Sequence, residues 1–335
     1  MSPDHPFFIL LRSGLYETGC HLPPSVSTDE WFTWMKWAGD QAVLGLFYRG
    51  TEHLPLDYPL PEELSFSLLA AVDGIEKRNR HLQATLPEIL DYFLHPGLHP
   101  RVMKGPEAAR FYRYPLLRQS GDLDLFFSCD EFHAAIALAD AGLERGGERP
   151  DRSRHYTLKG IELDIHDRYF DLHTDRKRLP SVPSPEATLL MLSAHILKHA
   201  MGPGIGLRQL CDMAMACEAL EGSYAPSSLH RFARESGTWR WNRLLTAFLQ
   251  QYLGMKASPF PPLRDAAPLM RIIWEGGNFG QHGPHSRSDK TAFRQKEATL
   301  HSYFSHLPFS LRYAPREFFP GIFDLVKGNL RALFR

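Results

Sequence analysis

The sequence predicts an α+β fold in which a strand-bearing stretch lies between two helical regions, and three observations lead there. Apolar residues recur at helical spacing over residues 28–49 and again from 62 to 93. Between about residues 101 and 166 the rhythm changes to short alternating strands separated by helices. After the proline-rich stretch Leu179-Pro-Ser-Val-Pro-Ser-Pro185 helical spacing returns. Segregated helical and strand-bearing stretches of this kind fit an α+β chain. Residues 1–95 are therefore expected as a helical N-terminal region, 96–178 as the sheet-bearing core and 179–335 as a helical C-terminal region. At 335 residues, two packed units, or one core with helical additions, is the natural size.

In the first region, Phe7-Phe-Ile-Leu-Leu11 is too short for a signal-peptide core and follows Asp4 and His5 rather than Lys or Arg. Trp31, Trp34, Ala38, Ala42 and Leu46 share one helix face between Thr28 and Arg49, with Ser27 or Thr28 as cap before an acidic first turn. The tryptophans on that face read as core, with Trp37 covering the opposite side. Three prolines interrupt residues 54–61, and Glu62 to Phe93 predicts one or two helices, Pro87 marking a new start. His95-Pro-Gly-Leu-His-Pro100 closes the region.

The core is expected to run as a strand over Arg101 to Lys104, a helix over Glu107 to Tyr112, a strand over Asp122 to Phe127 and a helix from Asp130 to Ala141 stopped by Gly142. A charged turn over residues 146–154 leads to strands at His155 to Lys159 and Gly160 to His166, the second alternating Ile161, Leu163, Ile165 with Glu162, Asp164, His166. In the last region Ser184 before Pro185 and Glu186 starts a helix running to Met201. Further helices are expected over Leu207 to Leu220 and Ser227 to Leu253, with shorter pieces after Pro268. Residues 276–285 read as a loop.

Composition narrows the function classes. With 38 basic and 38 acidic residues the formal charge is zero, so no global field draws the chain to nucleic acid, and any polyanion site must be local. Four scattered cysteines without CxxC spacing fit reduced thiols in a cytoplasmic protein, Cys129 and Cys211 as buried packing residues. No stretch approaches the roughly 20 apolar residues that a membrane-spanning helix needs. The 17 histidines are dispersed, and His282 and His285 lack carboxylate or thiolate neighbours at zinc spacing.

The chemistry concentrates in Arg118-Gln-Ser-Gly-Asp-Leu-Asp-Leu-Phe-Phe127. Side chains alternate along a strand, so Asp122 and Asp124 share a face while Leu123, Leu125 and Phe127 point into a core. Paired carboxylates of this kind can hold two divalent ions about 3.5–4 Å apart, an arrangement suited to phosphoryl transfer. A lone DxD also occurs as a turn or surface charge pair; three companions strengthen the metal reading here. Lys104-Gly105 offers charge and a close backbone approach to phosphate, Asp164 offers a third carboxylate from a later strand, and Arg118 can pair with phosphate. Each also has a structural reading, as a turn, a solvent-facing strand residue and a partner for Asp122. His195, Lys198 and His199 fall within a helical turn, and Arg208 and Asp212 form an i, i+4 pair that is equally an ordinary helix-face ion pair.

In order, Met103-Lys104-Gly105, Arg118, Gly121-Asp-Leu-Asp-Leu125, Leu163-Asp-Ile-His166, Ser184-Pro-Glu186, His195 and Gly206-Leu-Arg-Gln-Leu-Cys-Asp212 resemble the uncharacterised bacterial nucleotidyltransferase family of the DNA polymerase beta-like superfamily. The resemblance runs from about Trp31 to beyond Leu253 and takes in the loop at 277–280.

This resemblance implies a polymerase beta-like core, a small mixed sheet flanked by helical regions. Asp122 and Asp124 would hold Mg2+ (or Mn2+), and Asp164 would bind the catalytic ion and help deprotonate an acceptor hydroxyl. Lys104, Gly105, Arg118, Lys198 and Arg208 would contact a nucleoside triphosphate, most simply ATP. Glu162 shares the face of Asp164 and is the alternative third carboxylate; Asp164 takes the family position two before His166. The wider superfamily usually carries Gly-Ser or Gly-Gly where this chain has Gly105-Pro106, so a hydroxyl contact and a backbone donor are missing. The implied reaction transfers a nucleoside monophosphate to a hydroxyl of an unknown acceptor: a sugar, a lipid-linked sugar, a protein or RNA. The alternatives are an inactive nucleotide-binding protein of the same fold and a toxin-like transferase acting on tRNA, which needs a local basic surface.

Overall fold

The computed structural model describes residues 1–146, 154–173, 179–202, 204–276 and 304–321, an α+β chain with one five-stranded mixed sheet. It divides into two units, Ala71–Phe170, and Met1–Ala70 with Asp171–Arg335.

The first of these carries the sheet, in the order β1-β2-β5-β4-β3. Its strands are β1 (Arg101–Val102), β2 (Leu123–Phe126), β3 (Glu144–Arg145), β4 (Arg154–Leu158) and β5 (Ile161–His166). β2 and β5 run parallel, and the other pairings are antiparallel. Lys159 and Gly160 both take positive φ, 52° and 76°, as a two-residue hairpin turn matched to strand twist requires. The expected alternation holds: Leu123, Leu125, Leu163 and Ile165 are fully buried against Ile89 of α4 (Glu62–Tyr92) and Phe93 just beyond its end, and against Ala135 and Ala139 of α6 (Cys129–Gly142). This packing explains why the later part of α4 belongs with the sheet. It also explains why α4 continues through Pro87 as one helix, since Leu86, Ile89, Leu90 and Phe93 around the proline are anchored on the strands.

Capping moves the start of α6. Ser128 and Glu131 form a capping box, so the helix begins at Cys129 rather than Asp130, and Cys129 is exposed rather than a buried packing residue. Tyr156 of β4 donates its hydroxyl to Asp140 of α6 at 2.9 Å; burial, reinforced by that carboxylate, pushes its phenol up to about 12. The expected helix after Lys104 is shorter and earlier, α5 (Pro106–Ala109), with Pro106 in the first turn. Much of the charged turn, residues 147–153, lies outside the described residues.

The second unit is helical. α1 (Pro6–Tyr16) is capped by His5, whose Nδ1 accepts from the Phe7 amide at 3.2 Å. The helix expected over Thr28 to Arg49 is two, α2 (Thr28–Asp40) and α3 (Leu44–Glu52), because Ala42 turns into the left-handed region at φ 55°. The break has a use. The buried Gln41 side chain accepts from the Leu207 amide at 3.0 Å and donates to the Ile273 carbonyl at 3.3 Å, tying in α8 (Leu207–Ala219) and α11 (Ala267–Gly276). α7 (Pro185–Met201) starts at Ser184 as the sequence indicates, its hydroxyl accepting from the Ala187 amide. The span expected as one helix from Ser227 to Leu253 is also two, α9 (Pro226–Glu235) and α10 (Trp239–Leu253), separated at Gly237, φ 74°. No described helix is long and apolar enough to cross a membrane.

Glu17, at the end of α1, accepts from Arg49 Nε at 3.2 Å and pairs with His53 Nε2 at 3.1 Å. Burial pushes its carboxyl up, but the hydrogen bond and charge of Arg49, then those of His53, outweigh it and hold the group below the ordinary value of 4.5. A carboxyl depressed on folding stabilises the fold above its unfolded pKa, and that contribution is lost as pH falls through the folded value. Between about pH 6 and about pH 3, urea midpoints should therefore fall less for Glu17→Gln than for wild type. Equal slopes would show that the cluster contributes nothing.

Candidate active site

The register of β2 and β5 sets Asp124 directly beside Asp164, and Phe126 beside His166. β4 adds His155 opposite Asp164. Two carboxylates at one level of a sheet repel. Both are buried, at 7 % and 3 % exposure, where uncompensated charge is most costly. The surrounding nitrogens explain how they are accommodated. Lys104 Nζ lies 3.0 Å from Asp124 Oδ1, His166 Nε2 lies 2.7 Å from the same oxygen, and His155 Nδ1 pairs with Asp164 Oδ1.

Donor atoms of Asp124, Asp164 and His166 all lie within 4.8 Å of one another. An ion with bonds of roughly 2.1 Å sets opposite ligands about 4.2 Å apart, so the spacing and the oxygen and nitrogen donors fit one divalent cation. Asp122 stands just before β2, half-buried and outside that trio. Glu162 is exposed and pairs across to Thr157, whereas Asp164 is buried beside Asp124.

Lys104 and Gly105 reach this place by continuing β1. The Met103 amide donates to the Asp124 carbonyl at 3.1 Å, holding the chain along β2. Gly105 then takes φ 56°, ψ −105°, a conformation that costs a side chain about 1–3 kcal/mol. A Cβ there would lie 3.7 Å from the Asp122 carbonyl oxygen, so the glycine loop passes close to the start of β2.

Arg118 is buried at 6 % exposure, and its carbonyl accepts from Asn79 Nδ2 at 2.9 Å. With Gly105, Asn79 and Leu86 it lines a cleft of about 220 Å³. Lys198 and Arg208 belong to the other unit. Lys198 Nζ pairs with Asp171 at 3.0 Å, as His195 Nδ1 does at 3.4 Å, and the His195 and His199 rings meet edge to face at 4.5 Å. Arg208 and Asp212 are both buried on α8. His282 and His285 lie outside the described residues.

Sequence reasoning passed over His155 and His166 as site residues. The signal for His166 was present, since it follows Asp164 by two on the same strand face. His155 depends on hairpin register, which two-residue turn chemistry at Lys159-Gly160 fixes.

A family model described as an uncharacterised nucleotidyltransferase matches residues 27–254. No curated protein and no solved structure matches the chain.

Proposed function

Since this chain belongs to that uncharacterised nucleotidyltransferase family, we propose that it transfers a nucleoside monophosphate, most simply AMP from ATP, to an acceptor hydroxyl with release of pyrophosphate. The observation that carries the reading is the in-register pair Asp124 and Asp164, buried together with the donor geometry of a cation site. Mg2+ or Mn2+, when bound, supplies Lewis-acid stabilisation of charge developing on the phosphate oxygens. Asp124 and Asp164, with Asp122 at the mouth of β2, would hold the metal. Asp164 accepts the proton of the attacking hydroxyl, a bond forms from that oxygen to the α-phosphorus, and the bond from the α-phosphorus to the β-bridging oxygen breaks in line. Lys104, on a flexible stem, can turn its ammonium from Asp124 to the triphosphate, while Gly105 lets the backbone approach it.

The test follows α-labelled ribonucleoside triphosphates with Mg2+ or Mn2+ in the presence of cell extract. Pyrophosphate release with transfer of the α-label to a larger product is the expected result. Pro106, which removes an amide donor beside Gly105, favours a second reading, a protein that binds nucleotide without turnover. Metal-dependent triphosphate binding with no release under any condition would establish that second reading instead.

A further inference from the structure

We infer that His166 is a direct ligand of the ion held by Asp124 and Asp164, and that its imidazole makes the site select Mn2+ over Mg2+. This rests on the metal-dependent reading above and deepens it by identifying the ion. His166 Nε2 and Asp124 Oδ1 are 2.7 Å apart. Adjacent ligands of an octahedral ion with bonds of roughly 2.1 Å stand about 3 Å apart, so the pair can share one ion with only a small adjustment. The sheet supplies the rest of the arrangement. His166 lies one step beyond Asp164 on the same face of β5, and its neighbour on β2 is Phe126, whose ring packs edge-on against Tyr169 and offers no donor. At that level of the site the imidazole is the ligand that β5 and β2 provide.

Two properties then favour Mn2+. Imidazole nitrogen is a ligand of transition ions, whereas Mg2+ sites are built from oxygen. Mg2+ also dehydrates reluctantly and keeps several waters, and the side chains of His166, Asp124 and Asp164 are only 13 %, 10 % and 5 % exposed. A site this enclosed suits an ion that exchanges water for protein donors.

The experiment uses the purified chain with Mn2+, read by pulsed electron paramagnetic resonance for coupling to a directly bound 14N nucleus, and with Mn2+ and Mg2+ separately for their affinities. Wild type, His166→Gln and His155→Gln are compared, with circular dichroism as the check on folding. Glutamine keeps a hydrogen-bond donor toward Asp124, so a merely positioning histidine would be largely replaced. The expected result is 14N coupling in wild type and His155→Gln that disappears in His166→Gln, together with a fall on the order of tenfold or more in the ratio of Mn2+ to Mg2+ affinity. Mn2+ binding without 14N coupling in wild type, coupling lost only in His155→Gln, or an unchanged affinity ratio in folded His166→Gln would each overturn the assignment while leaving the transferase reading intact. Failure of wild type to bind either ion would overturn both.

Discussion

Asp124→Asn should lower pyrophosphate release by about 10²–10³-fold or more, because it removes a charge at the point where the site concentrates its electrostatics. Asp124 is the carboxylate that three elements share: β2 carries it, Lys104 after β1 and His166 at the end of β5 reach the same Oδ1, and Asp164 stands beside it in register. Asparagine keeps the shape and one carbonyl acceptor while removing the charge and turning the other oxygen into an amide donor, so metal affinity falls without a cavity. Stability in metal-free buffer should change by less than about 1 kcal/mol. Lost attraction to Lys104 is offset by relief of the repulsion from Asp164, each partial contribution being of the order measured for cross-strand pairs. The same loss of turnover is expected for Asp164→Asn and Asp122→Asn. Asp124→Asn that folds normally and retains full release would sink the site assignment.

How much of this was legible in the sequence follows from the range over which each signal acts. The strand alternation around Asp122 to Phe127 and Ile161 to His166 is local, and it placed both the core residues and the carboxylate face. The Ser184-Pro185 helix start is equally local. What the sequence did not disclose depends on partners distant in the chain. Ala42 breaks α2 from α3 although alanine is a good helix former, and the break is stabilised by Gln41 bonding to Leu207 and Ile273. Pro87 suggests a helix start and instead lies within α4, because the sheet holds the residues on both sides of it. His155 becomes a neighbour of Asp164 only once the hairpin register is set. Helical pattern gave no view of α1 as a packed element, because its decisive contact is between backbones.

That contact yields the largest expected effect on stability. A Cβ built on Gly50 of α3 would stand 2.1 Å from the Leu10 carbonyl oxygen of α1, and one on Gly14 of α1 would stand 1.9 Å from the Leu46 carbonyl oxygen of α3. Both obstacles are main chain, which cannot swing aside as a side-chain tip can, so the helices must separate to admit even one methyl group. Two effects oppose each other in Gly50→Ala. Helix propensity favours alanine by about 1 kcal/mol. Overpacking against fixed backbone costs about 1–3 kcal/mol, occasionally more, and the separation also loosens apolar contacts such as Phe7 with Phe47, whose ring centroids are 6.0 Å apart. The steric cost wins, and the urea midpoint of Gly50→Ala should fall. Gly74→Ala in the middle of α4 isolates the other effect, since the nearest atom to its added Cβ is the tip of Arg78 at 3.8 Å, and its midpoint should rise. If Gly50→Ala instead matched Gly74→Ala in raising stability, the close approach of α1 to α3 would be refuted, because no relaxed backbone arrangement can hold a methyl group 2.1 Å from an oxygen.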